Sequence, residues 1–301
     1  MKRPEYYFFA ALSRVLGEKG AEALARAGVQ ALLASPEKRA NISRNLGRVL
    51  SFRGKPAPSP AEVEEKISEL ARHYARYLCT MAGVQRDYRV YLEQTDEVLL
   101  PILKALLARG KGAVLVAPHL GFTNLLMGKL PHLGIKLTVL MVNAAPYRLD
   151  PGVLDNLRML DAGESAADCM RALAGNEAVL VNGDVDYFPE GRTAPFFGAP
   201  FPPPHGAVRL AEAAGAPLLP VHVPLENDRY RLLCDEPIPP DLGMEEKEAL
   251  LLRAMERAIS AHPTQWFVFH DPWDLPAAAE RARRQLEQLR AARKLKSYLG
   301  N

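Results

Sequence analysis

The sequence is poor in cysteine and has no long apolar run. Its three cysteines, Cys79, Cys169 and Cys234, are odd in number and far apart, which argues against a disulfide framework and favours a reducing compartment. No segment approaches the run of about 18 apolar residues that a membrane-spanning helix needs, and residues 6–12 are too short for the apolar part of a signal peptide. We therefore expect a cytoplasmic protein, or one peripheral to the inner face of the cell membrane.

Several common functional signatures are also missing. The sequence contains neither the P-loop pattern for nucleotide phosphates nor the Gly-x-Ser-x-Gly elbow of serine hydrolases. Its seven histidines show no zinc-ligand spacing, and no basic surface interleaved with aromatic residues indicates nucleic-acid binding. We therefore predict no metal, no cofactor and no nucleic-acid partner.

The pattern that is present alternates between strands and helices. At 301 residues, with 48% apolar and 24% charged residues, the chain is typical of a globular protein with a substantial core. Predicted strands lie at residues 113–117, 136–142, 178–181, 218–223, 230–234 and 265–270. Predicted helices lie at residues 96–108, 122–130, 150–160, 166–173, 206–214 and 245–261. This alternation predicts an α/β fold with a largely parallel central sheet flanked by helices.

We expect a single domain with three parts. Residues 1–95 form a helical lead-in, in which Ser59 and Glu62 have the spacing of a capping box at a helix start; residues 96–276 form the core. Residues 277–301 form a basic C-terminal helix with seven basic and two acidic residues, a net charge of +5 within a total of +3. This helix could attract an anionic membrane surface or could simply be a solvated face.

The apolar stretch 113–117 ends in Pro118 and His119. Its small and β-branched residues are typical of a strand buried on both faces of a parallel sheet. Because Pro118 cannot donate a ladder hydrogen bond, His119 should emerge at the carboxyl end of the strand. Gly121 then allows a tight turn into the helix at 122–130, whose positive end would keep His119 a neutral base. The simpler interpretation is a histidine that only caps backbone groups.

A second informative stretch follows the strand at 178–181 and should lie at the same edge of the sheet. Gly191 and Arg192 suit a phosphate there, because glycine admits the backbone and arginine gives a bidentate charged contact. Alternatively, Arg192 pairs with Glu190 or Asp186 in a surface turn. The residues expected to shape and line the substrate pocket are Gly121, Asp184, Asp186, Glu190, Gly191 and Arg192.

Several short motifs together resemble a known family. In chain order they are Arg44-Asn-Leu46, Ala117-Pro-His119, Gly183-Asp184-Val-Asp186, Ala194-Pro-Phe-Phe-Gly198, Leu219-Pro-Val-His222 and His262-Pro-Thr-Gln-Trp266. Over roughly residues 40–275 the chain resembles the late lipid A acyltransferases, the lauroyl and myristoyl transferases, and their relatives that acylate phosphatidylinositol mannosides. Phe188-Pro-Glu-Gly-Arg192 also resembles the phosphate-binding motif of glycerolipid acyltransferases in the wider superfamily.

The resemblance implies transfer of a fatty acyl group from a thioester, on acyl carrier protein or coenzyme A, to a lipid, glycolipid or other small-molecule acceptor. In that family a His-x-x-x-x-Asp/Glu pair provides the general base and its orienting carboxylate. His119 matches the histidine, but the fifth residue after it is Asn124, which we expect to orient the imidazole without supplying charge. The long apolar N-terminal anchor of the family is missing or reduced here, which argues against integral membrane attachment.

The asparagine leaves three possibilities open. The chain could be an enzyme with a slower or different acyl transfer, for example to an amine instead of a hydroxyl. It could be a non-catalytic acyl or lipid binder that has kept the site and lost turnover. As a third possibility, Asp184 or Asp186 could reach His119 in place of the residue at position 124.

Overall fold

The computed structural model describes residues 19–20, 22–84, 88–93, 95–141, 151–161, 165–185, 192–281, 283–284 and 287. Its helices are α1 (22–33), α2 (Pro36–Leu50), α3 (Pro60–Val84), α4 (Tyr88–Glu93), α5 (Leu99–Leu107), α6 (Leu126–His132), α7 (Pro151–Leu154), α8 (Ala166–Ala174), α9 (His205–Ala214) and α10 (Met244–Ala261). The predicted capping box begins α3, since the Glu62 backbone nitrogen donates to Ser59 Oγ at 3.2 Å and the Ser59 nitrogen donates to Glu62 Oε2 at 2.6 Å.

Six strands form the central sheet. The strands of the chain are β1 (Thr95–Asp96), β2 (Ala113–Ala117), β3 (Leu137–Met141), β4 (Leu157–Asp161), β5 (Ala178–Asn182), β6 (Ala194–Phe196), β7 (Ala199–Phe201), β8 (Leu218–His222), β9 (Leu225–Glu226), β10 (Arg229–Arg231) and β11 (Leu233–Cys234). The sheet has the order β11-β8-β2-β5-β3-β4, and every pairing except the antiparallel β11-β8 edge is parallel. The predicted α/β architecture and the helical N-terminal region are confirmed.

Helices cover the sheet on both faces, and the inner strands β2 and β5 are apolar apart from Asn182 at the end of β5. Val114 and Val116 point into a core with residues of α8, α9 and α10. Leu115 and Ala117 point into the other core, with residues of α5 and α6. Because both faces of β2 are buried, its sequence is apolar throughout and does not alternate between apolar and polar residues. The carboxyl ends of β2 and β5 are thereby fixed side by side.

Two predicted helices are corrected by the structure. The segment 150–160 is helical only over α7, and Leu157–Asp161 is the edge strand β4, paired in parallel with β3. Its apolar residues alternate between the two cores, Leu157 and Met159 on one side and Leu160 on the other, so a period of two was mistaken for a helical period. The predicted helix 122–130 begins later, at Leu126, after a 3₁₀ turn over Thr123–Leu125.

Two predicted strands are also corrected. The segment 230–234 divides between β10 and β11, because the chain changes sheets at Leu232, whose nitrogen donates to the Asp96 oxygen at 2.8 Å. The segment 265–270 forms no strand of the sheet. It follows a 3₁₀ turn at Pro263–Gln265. Its backbone pairing is an isolated antiparallel bridge between Trp266 and Leu120, which lies in the turn after Pro118.

The part of the C-terminal segment that the structure describes starts as a helix. Residues 275–281 are helical, and Asp274 caps them, since its Oδ1 accepts from the Ala277 nitrogen at 3.1 Å. Most of the predicted basic helix at 277–301 lies outside the described residues. Within the described part of the chain, no helix combines the length and the apolar character needed to cross a bilayer.

Candidate active site

The site forms where β2 and β5 end. In the parallel pairing Ala117 lies opposite Asn182, and the Gly183 nitrogen donates to the Ala117 oxygen at 2.9 Å. His119 follows β2 by two residues and Asp184 follows β5 by two residues, so adjacent strands deliver both side chains to one edge of the sheet. This edge is where the sequence predicted the chemistry.

The Asp184 carboxylate fixes the position of His119 through hydrogen bonds. The carboxylate is buried and accepts three hydrogen bonds: Oδ1 from His119 Nδ1 at 2.7 Å, and Oδ2 from the His119 backbone nitrogen at 2.7 Å and from Trp266 Nε1 at 2.8 Å. The His119 ring itself remains 37% exposed. A buried carboxylate therefore supports an imidazole that is partly exposed to solvent.

The electrostatics of this pair define the reactive nitrogen. Burial alone would raise the pKa of the Asp184 carboxyl, but the positive charge that His119 can carry and the hydrogen bonds from His119 and Trp266 lower it below its usual range. An ionised carboxylate can only accept hydrogen bonds, so Nδ1 of His119 carries the proton and Nε2 presents a lone pair. The Asn182 amide nitrogen lies 3.1 Å from Nε2, suitably placed to donate to that lone pair.

Another histidine near the pair adds no charge at neutral pH. Burial, together with the positive charge of Arg281, lowers the pKa of His270 to about 4. Its backbone oxygen accepts from the Asn45 amide at 2.8 Å, which ties the segment after Trp266 to α2. The positive charge that can develop beside Asp184 therefore comes from His119.

The backbone around His119 is fixed by close contacts with two other segments. Gly121 has a φ of +62°, and its nitrogen donates to the Gln265 oxygen at 2.9 Å. A Cβ at this position would lie 2.1 Å from the Val223 oxygen, so the turn requires glycine. The Phe267 nitrogen donates to the His119 oxygen at 3.0 Å.

The structure corrects the prediction that Asn124 orients His119. Asn124 lies in the 3₁₀ turn after Gly121, and its amide nitrogen is directed at α3, 3.3 Å from the Tyr77 hydroxyl and 3.6 Å from Met81 Sδ. Asp184 takes the imidazole nitrogen that Asn124 was expected to hold. Of the three possibilities left open by the sequence, the geometry matches the third, in which the Asp184 carboxylate reaches His119.

Arg192 lies on the first turns of α10. Its Nη2 is 3.1 Å from Glu245 Oε1 and 3.5 Å from Glu248 Oε2, and Glu248 also pairs with His205 Nδ1 at 2.6 Å. Two carboxylates thus offset the guanidinium charge that was predicted to hold a phosphate. Three other residues of the predicted pocket, Asp186, Glu190 and Gly191, lie outside the described residues.

Two residues of the site had no role in the prediction. Asn182 was not predicted because an asparagine at the end of a strand belongs to no sequence motif. The expectation that β2 and β5 end at the same edge of the sheet could have indicated it. Trp266 was noticed only as part of a resemblance. Its indole donor matters because the Asp184 carboxylate would otherwise be buried with one oxygen less well satisfied.

Comparison with known proteins identifies the family of the chain. Residues 5–274 match the family model described as bacterial lipid A biosynthesis acyltransferase. A phosphatidylinositol mannoside acyltransferase of Mycobacterium tuberculosis is 28% identical over 261 residues, covering 81% of this chain and 80% of the relative. One from Mycolicibacterium smegmatis is 27% identical over 300 residues, covering 91% of each chain. The chain therefore belongs to the bacterial lipid A biosynthesis acyltransferase family and is an enzyme of lipid biosynthesis that transfers acyl groups.

Proposed function

We propose that the chain transfers a fatty acyl group from a thioester, on acyl carrier protein or coenzyme A, to a hydroxyl of a glycolipid, with His119 as general base. The observation that carries this proposal is the 2.7 Å contact between His119 Nδ1 and the buried Asp184 carboxylate. The glycolipid acceptor is suggested by the names of the mycobacterial relatives, which specify phosphatidylinositol mannoside.

The reaction follows from the protonation states of the pair. The acceptor hydroxyl takes the place of the Asn182 amide at His119 Nε2 and gives up its proton as its oxygen attacks the thioester carbonyl carbon. Asp184 stabilises the imidazolium that forms. When the tetrahedral intermediate collapses, the carbon–sulfur bond breaks, and the imidazolium returns the proton to the departing thiolate. General-base help of this kind contributes about 10²–10⁴-fold to a rate.

The carboxylate at position 184 also removes the reason for the non-catalytic alternative. That alternative was raised because Asn124 brings no charge to the imidazole. With Asp184 on Nδ1, the dyad has the negative partner that stabilises a protonated histidine, and Asn124 is left to contact α3. We therefore favour an active transferase over an acyl binder.

The direct test is acceptor-dependent release of thiol by the purified protein. Acyl coenzyme A and acyl carrier protein should each be offered with mannosylated phosphatidylinositol, with a simple long-chain alcohol and with a long-chain amine. The proposal expects thiol release that rises with glycolipid concentration and an acyl ester product detected by mass spectrometry. Saturable donor binding without release in any combination would instead identify an acyl binder.

Asn124→Asp should change the rate little, although it restores the spacing typical of the family. The new carboxylate would face Tyr77 and Met81, while Asp184 already occupies the imidazole nitrogen. We expect kcat within about tenfold of wild type, well short of the loss expected when general-base help is removed. Steady-state kinetics with Asn124→Gln as the matched uncharged change would check this. A large gain for the aspartate alone would restore position 124 to the dyad.

We propose reversible attachment to anionic membranes through the basic C-terminal segment. Deleting residues 288–301 removes four basic and no acidic residues and leaves the helical residues 275–281 in place. Each basic residue near an anionic surface contributes about 1 kcal/mol, so co-sedimentation with phosphatidylglycerol vesicles should fall steeply at low salt. If sedimentation is unchanged, the segment does not contribute to membrane attachment.

A further inference from the structure

A cavity of about 420 Å³ opens beside the C-terminal end of α2. Its lining consists of Arg44, Arg48, Ser51, Phe52, Arg53 and Phe197, and we call it the arginine cavity. The ring of Phe197 lies 6.4 Å from the ring of Trp266, which donates to the Asp184 carboxylate. Two packed side chains therefore connect this cavity to the buried half of the acyl-transfer site.

Positive charge exceeds negative charge around the arginine cavity. Three of its six lining residues are arginines, and Arg44 pairs with Asp271 at 2.8 Å. A second carboxylate, Glu256, accepts from the Phe197 nitrogen at 2.7 Å and feels the charge of Arg53. With both carboxylates ionised the group still carries one excess positive charge. Arginines that converge on a concave site are well suited to phosphate oxygens, which they bind in pairs.

Arg48 leaves a donor unsatisfied at this place. Its Nε is buried and has no hydrogen-bond partner among the described residues, while its guanidinium carbon lies 4.8 Å above the Trp273 ring. This cation–π contact with Trp273 helps to hold the guanidinium in position. A buried charged donor without an acceptor is unfavourable, so Arg48 is held at this place at a cost to stability.

Arg53 adds a second, independent sign of function. It has a φ of +61° and a ψ of +42°, and the following Gly54 has a φ of +75°. The left-handed region disfavours residues with a Cβ, so glycine would fit position 53 with less strain. Strained residues of this kind concentrate at ligand sites, where the side chain is needed. Here the strained turn carries a guanidinium to the cavity rim, 5.5 Å from the Phe52 ring.

We propose that the arginine cavity binds a phosphate group, carried either by a soluble ligand or by a lipid headgroup. Arg48 and Arg53 provide the charged hydrogen bonds, and Phe52 and Phe197 close the cavity on its apolar side. This assigns phosphate recognition to α2 and the turn after it, and away from Arg192, which is engaged by Glu245 and Glu248. The proposal goes beyond acyl transfer, and its test measures binding without turnover.

The test compares two probes and three variants. Inorganic pyrophosphate, titrated by calorimetry, represents a soluble phosphate. Vesicles of phosphatidylglycerol in phosphatidylcholine, with phosphatidylcholine alone as the blank, represent a lipid-borne phosphate. Each variant is offered to the vesicles with and without residues 288–301, and the comparison is made in the shortened protein so that the basic C-terminal segment does not contribute. Arg53→Gly removes the guanidinium and relieves the left-handed strain, which offsets the entropy cost of glycine, so it should fold about as stably as wild type. Arg48→Gln keeps a side chain over Trp273. Arg39→Gln removes the same charge from α2 at an exposed pair with Glu64 and is the matched control.

We expect saturable binding of at least one probe, weakened at least tenfold in Arg53→Gly and Arg48→Gln and unchanged in Arg39→Gln. Pyrophosphate binding without vesicle binding supports a soluble ligand, and loss of vesicle binding in Arg53→Gly supports a lipid headgroup. The proposal is overturned if neither probe binds saturably, because a phosphate site must bind at least one of them. It is also overturned if Arg53→Gly binds like wild type, or if Arg39→Gln weakens binding equally.

Discussion

Asp184→Asn is expected to lower kcat for acyl transfer by about 10⁴-fold, the loss seen when the carboxylate of a serine-protease Ser-His-Asp triad becomes an amide. The reason lies in the two other donors on this side chain. The His119 backbone nitrogen and Trp266 Nε1 both donate to Oδ2, so the amide oxygen of an asparagine would turn toward them. Its NH₂ would then face Nδ1 and force the proton onto Nε2. The base would be lost while the site keeps its shape.

The measurement is kcat at saturating donor and acceptor, with donor affinity determined separately. Donor binding should be retained, because Asp184 is buried behind the imidazole. Asp168→Asn is the matched control: this carboxylate pairs with Arg171 on the surface of α8, and kcat should stay within about twofold, as is usual for surface changes. His119→Ala should cost about as much as Asp184→Asn, and the double variant little more, because residues of one dyad act as a unit. Additive losses would separate the two residues.

The fold was predictable where a strand is buried on both faces. The runs at 113–117 and 178–181 had the composition and length of inner parallel strands, and the structure places them next to each other. The edge of the sheet was harder to predict. β4 and β11 are the two edge strands and each has a partner on one side only, while β10 belongs to a separate three-stranded sheet of order β1-β10-β9. β10 and β11 are also too short for a period to show. Their conformation depends on partners distant in the chain, which local pattern cannot reveal.

The site was predictable as a location and less so as a set of contacts. His119 was placed from Pro118 and the end of a strand, and Asp184 was named both as a pocket residue and as a possible partner. The preference for Asn124 came from a fixed spacing along the chain, whereas the carboxylate arrives from the neighbouring strand. Sequence spacing gives little guidance when parallel strands bring together residues 65 positions apart. Asn182 and Trp266 were missed for the same reason.

Gly121→Ala is expected to destabilise the protein by about 2–5 kcal/mol. The left-handed φ of +62° costs a residue with a Cβ about 1–2 kcal/mol. The new Cβ would also lie 2.1 Å from the Val223 oxygen and 2.9 Å from the Pro224 Cα, and inserting a methyl into such packed backbone adds about 1–3 kcal/mol. The clash involves backbone atoms, so a side-chain rotation cannot relieve it.

Gly134→Ala separates the two contributions. Gly134 has a φ of +77°, and a Cβ built there meets nothing within 4 Å, so this variant should lose only the about 1–2 kcal/mol of the dihedral. Chemical denaturation of both variants measures the difference. Gly121→Ala should also lose activity under native conditions, because the Phe122 nitrogen bonds the same Val223 oxygen at 2.8 Å and His119 is two residues away. Equal stability losses in the two variants would mean that Val223 yields easily, and that the turn does not fix His119.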